Sequence, residues 1–181
     1  MSTIRTLFEI IIFKAKPSDT PFSVNATTLA FTLAWLISYI GASLQSNMQP
    51  GSLPTIPNPL IFTLIQIATY GAMIALFLSI NKKQNRIHQT LLASYGALVI
   101  TDTIALFSFF IGLPALLVLV KIWGLIAQIY ILKHSHDSSS GQAFFMIIAI
   151  YMIALLLIAL AFPEYFKEHI DAMQKLQLQT Q

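Results

Sequence analysis

The sequence predicts an all-α fold: a polytopic membrane helical bundle with about five transmembrane helices, an N-terminal interfacial helix and a short C-terminal amphipathic helix. Of the 181 residues, 56% are hydrophobic and 9% are charged, a balance that would give a soluble domain a very large exposed apolar surface. Five apolar segments have about the 20 residues that one membrane crossing needs. Because these segments are apolar on all faces, they favour helices over alternating barrel strands.

Residues 1–16 are predicted to form an amphipathic helix in the membrane interface. Ile4, Phe8, Ile11 and Ile12 recur at helical spacing, and basic residues flank them. A cleaved signal peptide is the competing interpretation, but its apolar core would be shorter than the ~7 residues that such a segment needs. The interfacial helix is therefore the prediction.

The membrane domain is predicted over residues 17–162. Asn25 is a plausible N-cap for the first span, and Pro59 opens the second at a position where proline favours a helix start. Gly112-Leu113-Pro114 predicts a turn that folds the third and fourth spans into a hairpin. The predicted spans are 26–44, 59–80, 89–111, 113–132 and 143–162.

Two charged residues lie inside the predicted hairpin, Asp102 on the third span and Lys121 on the fourth. Counted from the turn at about 1.5 Å per residue, they lie roughly 17 and 12 Å deep, so the two side chains can meet. An isolated charge there would cost roughly 2.5 to 3.5 kcal/mol, which favours a pair that faces protein rather than lipid. The pair is either an ion or proton relay, or a structural link satisfied by Thr101, Thr103 and Gln128.

Small and polar residues also indicate which helix faces pack together. In a bilayer such residues mark contacts between helices, because lipid leaves polar groups without partners. Gln66 belongs to a polar stripe on the second span, Thr101 to a seven-residue repeat on the third, and Gln128 to the face of Lys121 on the fourth. Gln66, Thr101 and Gln128 are therefore predicted to pack against other helices.

The densest basic cluster is Lys82, Lys83 and Arg86, between the second and third spans. Such a cluster fixes orientation and contacts anionic lipid headgroups, at ~1 kcal/mol per charge near the surface. Three charges in a short loop are too few to indicate nucleic-acid binding, so the lipid bilayer is the predicted partner of this loop.

The distribution of Lys and Arg predicts the topology. With a cytoplasmic N-terminus, seven of these residues lie on the cytoplasmic side, two lie outside, and Lys121 lies within the membrane. Five spans then place the predicted amphipathic tail, residues 163–181, on the extracytoplasmic side. The seven are Arg5, Lys14, Lys16, Lys82, Lys83, Arg86 and Lys133, and the two are Lys167 and Lys175.

Few residues suggest catalysis or a cofactor. The chain has no cysteine, which removes disulfides, thiolate metal sites and a cysteine nucleophile. His134, His136 and Asp137 could bind a metal, but the spacing is weak and the polar, Ser-rich stretch 133–142 suggests a flexible loop. No motif for a serine nucleophile, a zinc protease, a phosphate loop or a dinucleotide site occurs. We therefore expect a protein without cofactor or metal that is not an enzyme.

The order of these features resembles the Yip family of small five-span membrane proteins, in particular its bacterial members. The stretch that carries the resemblance contains Tyr95-Gly96-Ala97, Gly112-Leu113-Pro114 and Ile122-Trp123-Gly124-Leu125, followed by a polar loop into the fifth span. The resemblance implies an adaptor or membrane-organising role in the bacterial cytoplasmic (inner) membrane. It carries over no catalytic residues, and Asp102 departs from a region that is generally neutral in the family.

Two functions follow as expectations. The first is a non-enzymatic, Yip-like adaptor that organises a membrane assembly, with a membrane-protein partner or through self-association. The alternative is a small transporter or channel subunit that uses the intramembrane pair of Asp102 and Lys121.

Overall fold

The computed structural model describes residues 3–48, 56–168 and 170–171. Within these ranges the secondary structure is helical without strands, which confirms the predicted all-α class. Five helices, α2 to α6, are long and apolar enough to cross a membrane, and residues 163–168 after them are again helical. The helices are α1 (Thr3–Ile11), α2 (Val24–Met48), α3 (Pro59–Ile80), α4 (Ile87–Phe110), α5 (Pro114–His136) and α6 (Ser140–Ala161).

Local capping contacts fix several helix starts. The side chain of Asn58 accepts a hydrogen bond from the Ile61 N–H at 3.3 Å, directly before Pro59 opens α3. At α2 the N-cap is Ser23 rather than the predicted Asn25, because the Ser23 hydroxyl accepts from the Ala26 N–H at 3.2 Å. Helix α2 consequently begins at Val24, two residues earlier than expected.

The fifth and sixth helices are separated by residues 137–139 alone. Helix α5 continues to His136, and Ser139 forms a capping box with Gln142 at the start of α6. The polar stretch 133–142, predicted as a flexible loop, is therefore mostly helical, and that expectation was wrong.

The predicted hairpin forms around Gly112, which has a φ of +70° and lies between the end of α4 and Pro114 at the start of α5. The left-handed backbone favours glycine at this turn. The two helices approach closely at Thr101 and Gly124, since a Cβ on Gly124 would lie 3.4 Å from the side chain of Thr101. Thr101, the member of the seven-residue repeat predicted to pack between helices, thus does lie at a helix contact.

The five long helices form a closed ring in the order α2, α3, α6, α5, α4 and back to α2. We call the end that carries the loops 81–86 and 137–139 the basic end, and the end at Gly112 the turn end. Apolar side chains fill the ring in the half nearer the basic end. This core includes Ala34, Ile74, Leu78, Leu92, Leu132, Ala143 and Ile147.

Helix α1 lies outside the ring, against α4 and α5. Ile10 and Ile11 are buried between α4 and α5, whereas Ile4 and Phe8 are exposed on the opposite side. The described helix covers nine residues, 3–11, within the predicted segment 1–16. The apolar residues of α1 thus divide between a protein-facing and an exposed side.

Candidate functional site

A cavity of about 930 Å³ occupies the half of the ring nearer the turn end. All five long helices contribute to its wall, and the turn residues Gly112, Leu113 and Pro114 also line it. Its volume is within the range of about 300 to 1,000 Å³ that is typical of small-molecule sites. The cavity is therefore the candidate functional site.

A buried hydrogen-bond chain lies between the cavity and the packed core. The hydroxyl of Tyr70, which lines the cavity, donates to the Oε1 atom of Gln128. The Nε2 atom of Gln128 donates in turn to the Ser94 carbonyl oxygen at 3.0 Å. This chain links α3, α5 and α4, and we call it the floor of the cavity.

Asp102 and Lys121 stand in contact on the cavity wall. The Nζ atom of Lys121 lies 2.6 Å from Oδ1 of Asp102, which joins α5 to α4. The Ser38 hydroxyl of α2 donates to the other carboxylate oxygen at 3.2 Å. The carboxylate therefore connects three helices at once.

The two members of the pair are unequally sheltered. The Asp102 side chain is 16% exposed, whereas the Lys121 side chain is 57% exposed. The expectation that the protein shelters both charges thus holds for the carboxylate alone. The ammonium has three N–H groups and is the more accessible charge.

The prediction of hydrogen-bond partners for Asp102 and Lys121 was wrong. The hydroxyl of Thr101 donates to the Ala97 carbonyl at 2.9 Å, and that of Thr103 donates to the Val99 carbonyl at 2.6 Å. Both are bonds within α4, which a threonine in a helix often makes. Ser38 was missed, because one serine in an apolar segment carries no signal for a distant carboxylate.

The three residues predicted to pack between helices have different environments. Gln128 is buried in the floor, and Thr101 is buried against Gly124. Gln66 is partly exposed and lines the cavity. A polar residue in a spanning helix can therefore mark either a helix contact or a cavity wall.

Two of the three residues in the basic cluster, Lys83 and Arg86, make contacts within the protein. Lys83 and Arg86 both contact the Asp137 carboxylate, at 2.7 and 2.9 Å. Arg86 also donates to the Ser135 carbonyl at 3.1 Å, in the last turn of α5. Lys82 is exposed. Headgroup contact, predicted for Lys82, Lys83 and Arg86 together, thus competes with internal bonds at two of the three.

Hydrogen bonds from Lys83, and then from Arg86, lower the pKa of Asp137 to about 2. The ordinary pKa of this carboxyl is 3.8. The Asp137 carboxylate thus holds the α3–α4 loop at the end of α5 at every pH at which the carboxylate is ionised.

The two histidines of the candidate metal cluster have other neighbours. His134 Nδ1 lies 2.9 Å from the Tyr130 carbonyl oxygen, and His136 is buried with its Nδ1 atom 3.4 Å from the Asn81 amide. Among the residues that the structure describes, no group of three or more His, Cys, Asp or Glu side chains is arranged to hold a metal ion.

Comparison with protein-family models, with curated proteins and with solved structures finds no match to this chain. The resemblance to the Yip family accordingly rests on sequence features alone and stays a prediction.

Proposed function

We propose that this chain is a small membrane transporter or channel subunit that receives a small molecule in its cavity. The observation that carries the proposal is the position of the Asp102–Lys121 pair on the wall of a 930 Å³ cavity within the spanning helices. Ionisable residues inside a membrane are costly and commonly line a substrate or ion path. A purely structural link between helices would not need a cavity beside it.

The floor suggests how such a path would be controlled. Tyr70, Gln128 and Ser94 connect three helices where the cavity meets the packed core. Passage toward the basic end requires this hydrogen-bond chain to open and the core beneath it to separate. Transporters work by such changes between packed arrangements.

Thiol labelling tests whether water reaches the cavity, and the absence of cysteine makes every introduced thiol unique. All four alanines of the test are buried, but Ala105 and Ala154 line the cavity, whereas Ala127 and Ala143 lie outside its wall. We expect a membrane-impermeant methanethiosulfonate to modify Ala105→Cys and Ala154→Cys and to spare Ala127→Cys and Ala143→Cys, because the reaction needs a solvated thiolate. Equal protection of all four thiols would contradict the proposal.

A Yip-like, non-enzymatic adaptor that organises a membrane assembly is the second candidate. It is favoured by the bonds that Asp102 makes to Ser38 and Lys121, because they link α2, α4 and α5 as a structural pair would. Purification from native membranes in mild detergent, followed by mass spectrometry, tests this candidate. A partner present in stoichiometric amount, or a stable oligomer of this chain, supports it, and recovery of this chain alone as a monomer opposes it.

The cellular setting belongs to the same proposal. We place the chain in a bacterial cytoplasmic membrane, with the N-terminus in the cytoplasm and the C-terminus outside. The seven-to-two distribution of Lys and Arg supports this orientation, since basic residues favour the cytoplasmic side. Five helices of spanning length are consistent with termini on opposite sides.

A further inference from the structure

We propose that the cavity takes a zwitterionic amphiphile, a molecule of no net charge with one anionic group, one ammonium group and an apolar body. The inference rests on the proposed function and names the class of molecule that the cavity would receive. Three properties of the wall carry it: its net charge, the unequal exposure of its two charged groups, and its apolar surface.

The wall has no net charge. Asp102 and Lys121 are its two formally charged residues among the described part of the chain, and they are already paired. An anion or a cation alone would leave one uncompensated charge among the spanning helices, which is unfavourable. A zwitterion keeps the total at zero, and each of its charges meets an opposite charge on the wall.

The geometry of the pair assigns each group of the ligand. The exposed Lys121 ammonium gives one N–H to Asp102 and has two more for the ligand's anionic group. The Asp102 carboxylate accepts from Lys121 and Ser38, one bond on each oxygen. Each carboxylate oxygen can accept a second bond, so the ligand's ammonium can join without displacing either partner.

The remainder of the wall suits an apolar body. Aliphatic side chains from α2, α4, α5 and α6 predominate around the pair, and the volume of 930 Å³ allows a ligand much larger than the two charged groups. A zwitterionic lipid and a soluble zwitterion such as an apolar dipeptide share this chemistry. The aliphatic residues include Ile37, Leu44, Leu98, Leu106, Leu117 and Ile150.

Four probes test which net charge the cavity prefers in a ligand and whether that ligand is a lipid or a soluble molecule. The full chain, in non-ionic detergent, is titrated with lauroyl-lysophosphatidylethanolamine (zwitterionic), lauroyl-lysophosphatidylglycerol (anionic), monolaurin (uncharged) and the dipeptide Leu-Leu. We expect the zwitterionic lipid to bind at least about tenfold more tightly than the anionic and uncharged lipids, measured by calorimetry. Binding of Leu-Leu at similar affinity would assign a soluble source, and its absence a lipid source.

Substitutions test whether the Asp102–Lys121 pair causes the preference for the zwitterionic lipid. Asp102→Leu combined with Lys121→Met should abolish the preference for the zwitterion, whereas Lys133→Met, which changes a lysine outside the cavity wall, should leave it intact. A second measurement avoids any change to the pair. Bound zwitterionic lipid should slow methanethiosulfonate labelling of Ala105→Cys about tenfold, and the anionic lipid should not.

Failure of this inference differs from failure of the proposed function. Equal or tighter binding of the anionic lipid, or a preference that survives the double substitution, overturns the zwitterion while the cavity thiols still react. Unreactive cavity thiols instead overturn the proposed function itself.

Discussion

Asp102 and Lys121 differ in exposure, so the loss of either residue has a different consequence. Without Lys121, a carboxylate that is only 16% exposed keeps Ser38 as its remaining partner. Without Asp102, the ammonium is 57% exposed and can turn into the cavity. A charge without its partner is costly in proportion to its burial.

We therefore predict that Lys121→Met destabilises the protein more than Asp102→Leu does. The first change should cost about 3 kcal/mol, at the lower end of the range for breaking a buried pair, and the second about 1 kcal/mol. The double substitution should be near neutral, because no unpaired charge remains. Denaturation in mixed micelles measures all three. Additive losses in the double variant would show that the two side chains do not interact.

The lowered pKa of Asp137 gives a second prediction at the residue scale, which concerns how thermal stability depends on pH. Because its pKa is lowered to about 2 in the folded protein, its contribution is fully present above the ordinary pKa of 3.8 and is lost as the pH falls toward 2. Asp137→Asn should therefore lower the Tm at pH 6, and the difference from the native chain should shrink between pH 4 and 2. Glu168→Gln, at an exposed carboxylate, is the control. A constant difference across this range would exclude the linkage.

At the scale of single helices, local sequence predicts best where the capping residues are neighbours in the chain. Asn58 and Pro59 define the start of α3, and the predicted and observed bounds of that helix coincide. The end of α5 was missed by one turn, because Lys83 and Arg86 donate to carbonyl groups there from a distant loop. Such long-range capping leaves no local signal.

The packing of α3 against α4 gives a prediction for Gly71. A Cβ at this position would lie 1.7 Å from the Tyr95 hydroxyl oxygen and 2.9 Å from its Cζ atom, so Gly71→Ala forces a buried ring to move. We expect a loss of about 1 to 3 kcal/mol, as for other overpacked cores. Addition of Tyr95→Phe should restore part of it by removing the closest atom.

Gly41→Ala is the matched control for this contact. A Cβ on Gly41 would lie 3.5 Å from Leu106, an ordinary contact distance, so this substitution should be tolerated. Thermal denaturation in detergent compares the variants. An equal loss at both glycines would mean that the Tyr95 contact does not limit the packing of α3.

At the scale of the molecule, composition was sufficient for the fold class and for five spanning helices. The contact between Asp102 and Lys121 also followed from the rise per residue, since both belong to one hairpin. The cavity and Ser38 could not be predicted. Both depend on the order in which the helices close into a ring, and that order is set by packing between segments far apart in the chain.

The topology prediction concerns the whole ring. Reporter fusions are placed after Ser138, in the short loop between α5 and α6, and after Gln181. Ser138 is preferred to Lys133 because Lys133 lies inside α5, which a fusion there would interrupt. A cytoplasmic reporter should be active after Ser138, and alkaline phosphatase should be active after Gln181, since seven Lys and Arg residues favour the cytoplasmic side and two the other.

Substitution of Lys82, Lys83 and Arg86 by Gln provides the control, because it reduces the asymmetry to four against two. The fusions should then report mixed orientations, as expected if these charges set the insertion. A cytoplasmic signal at both fusion sites of the native chain, after Ser138 and after Gln181, would require the helix between them not to cross the bilayer. The cavity, whose wall needs all five, would then be open to lipid on one side and could not hold a solute.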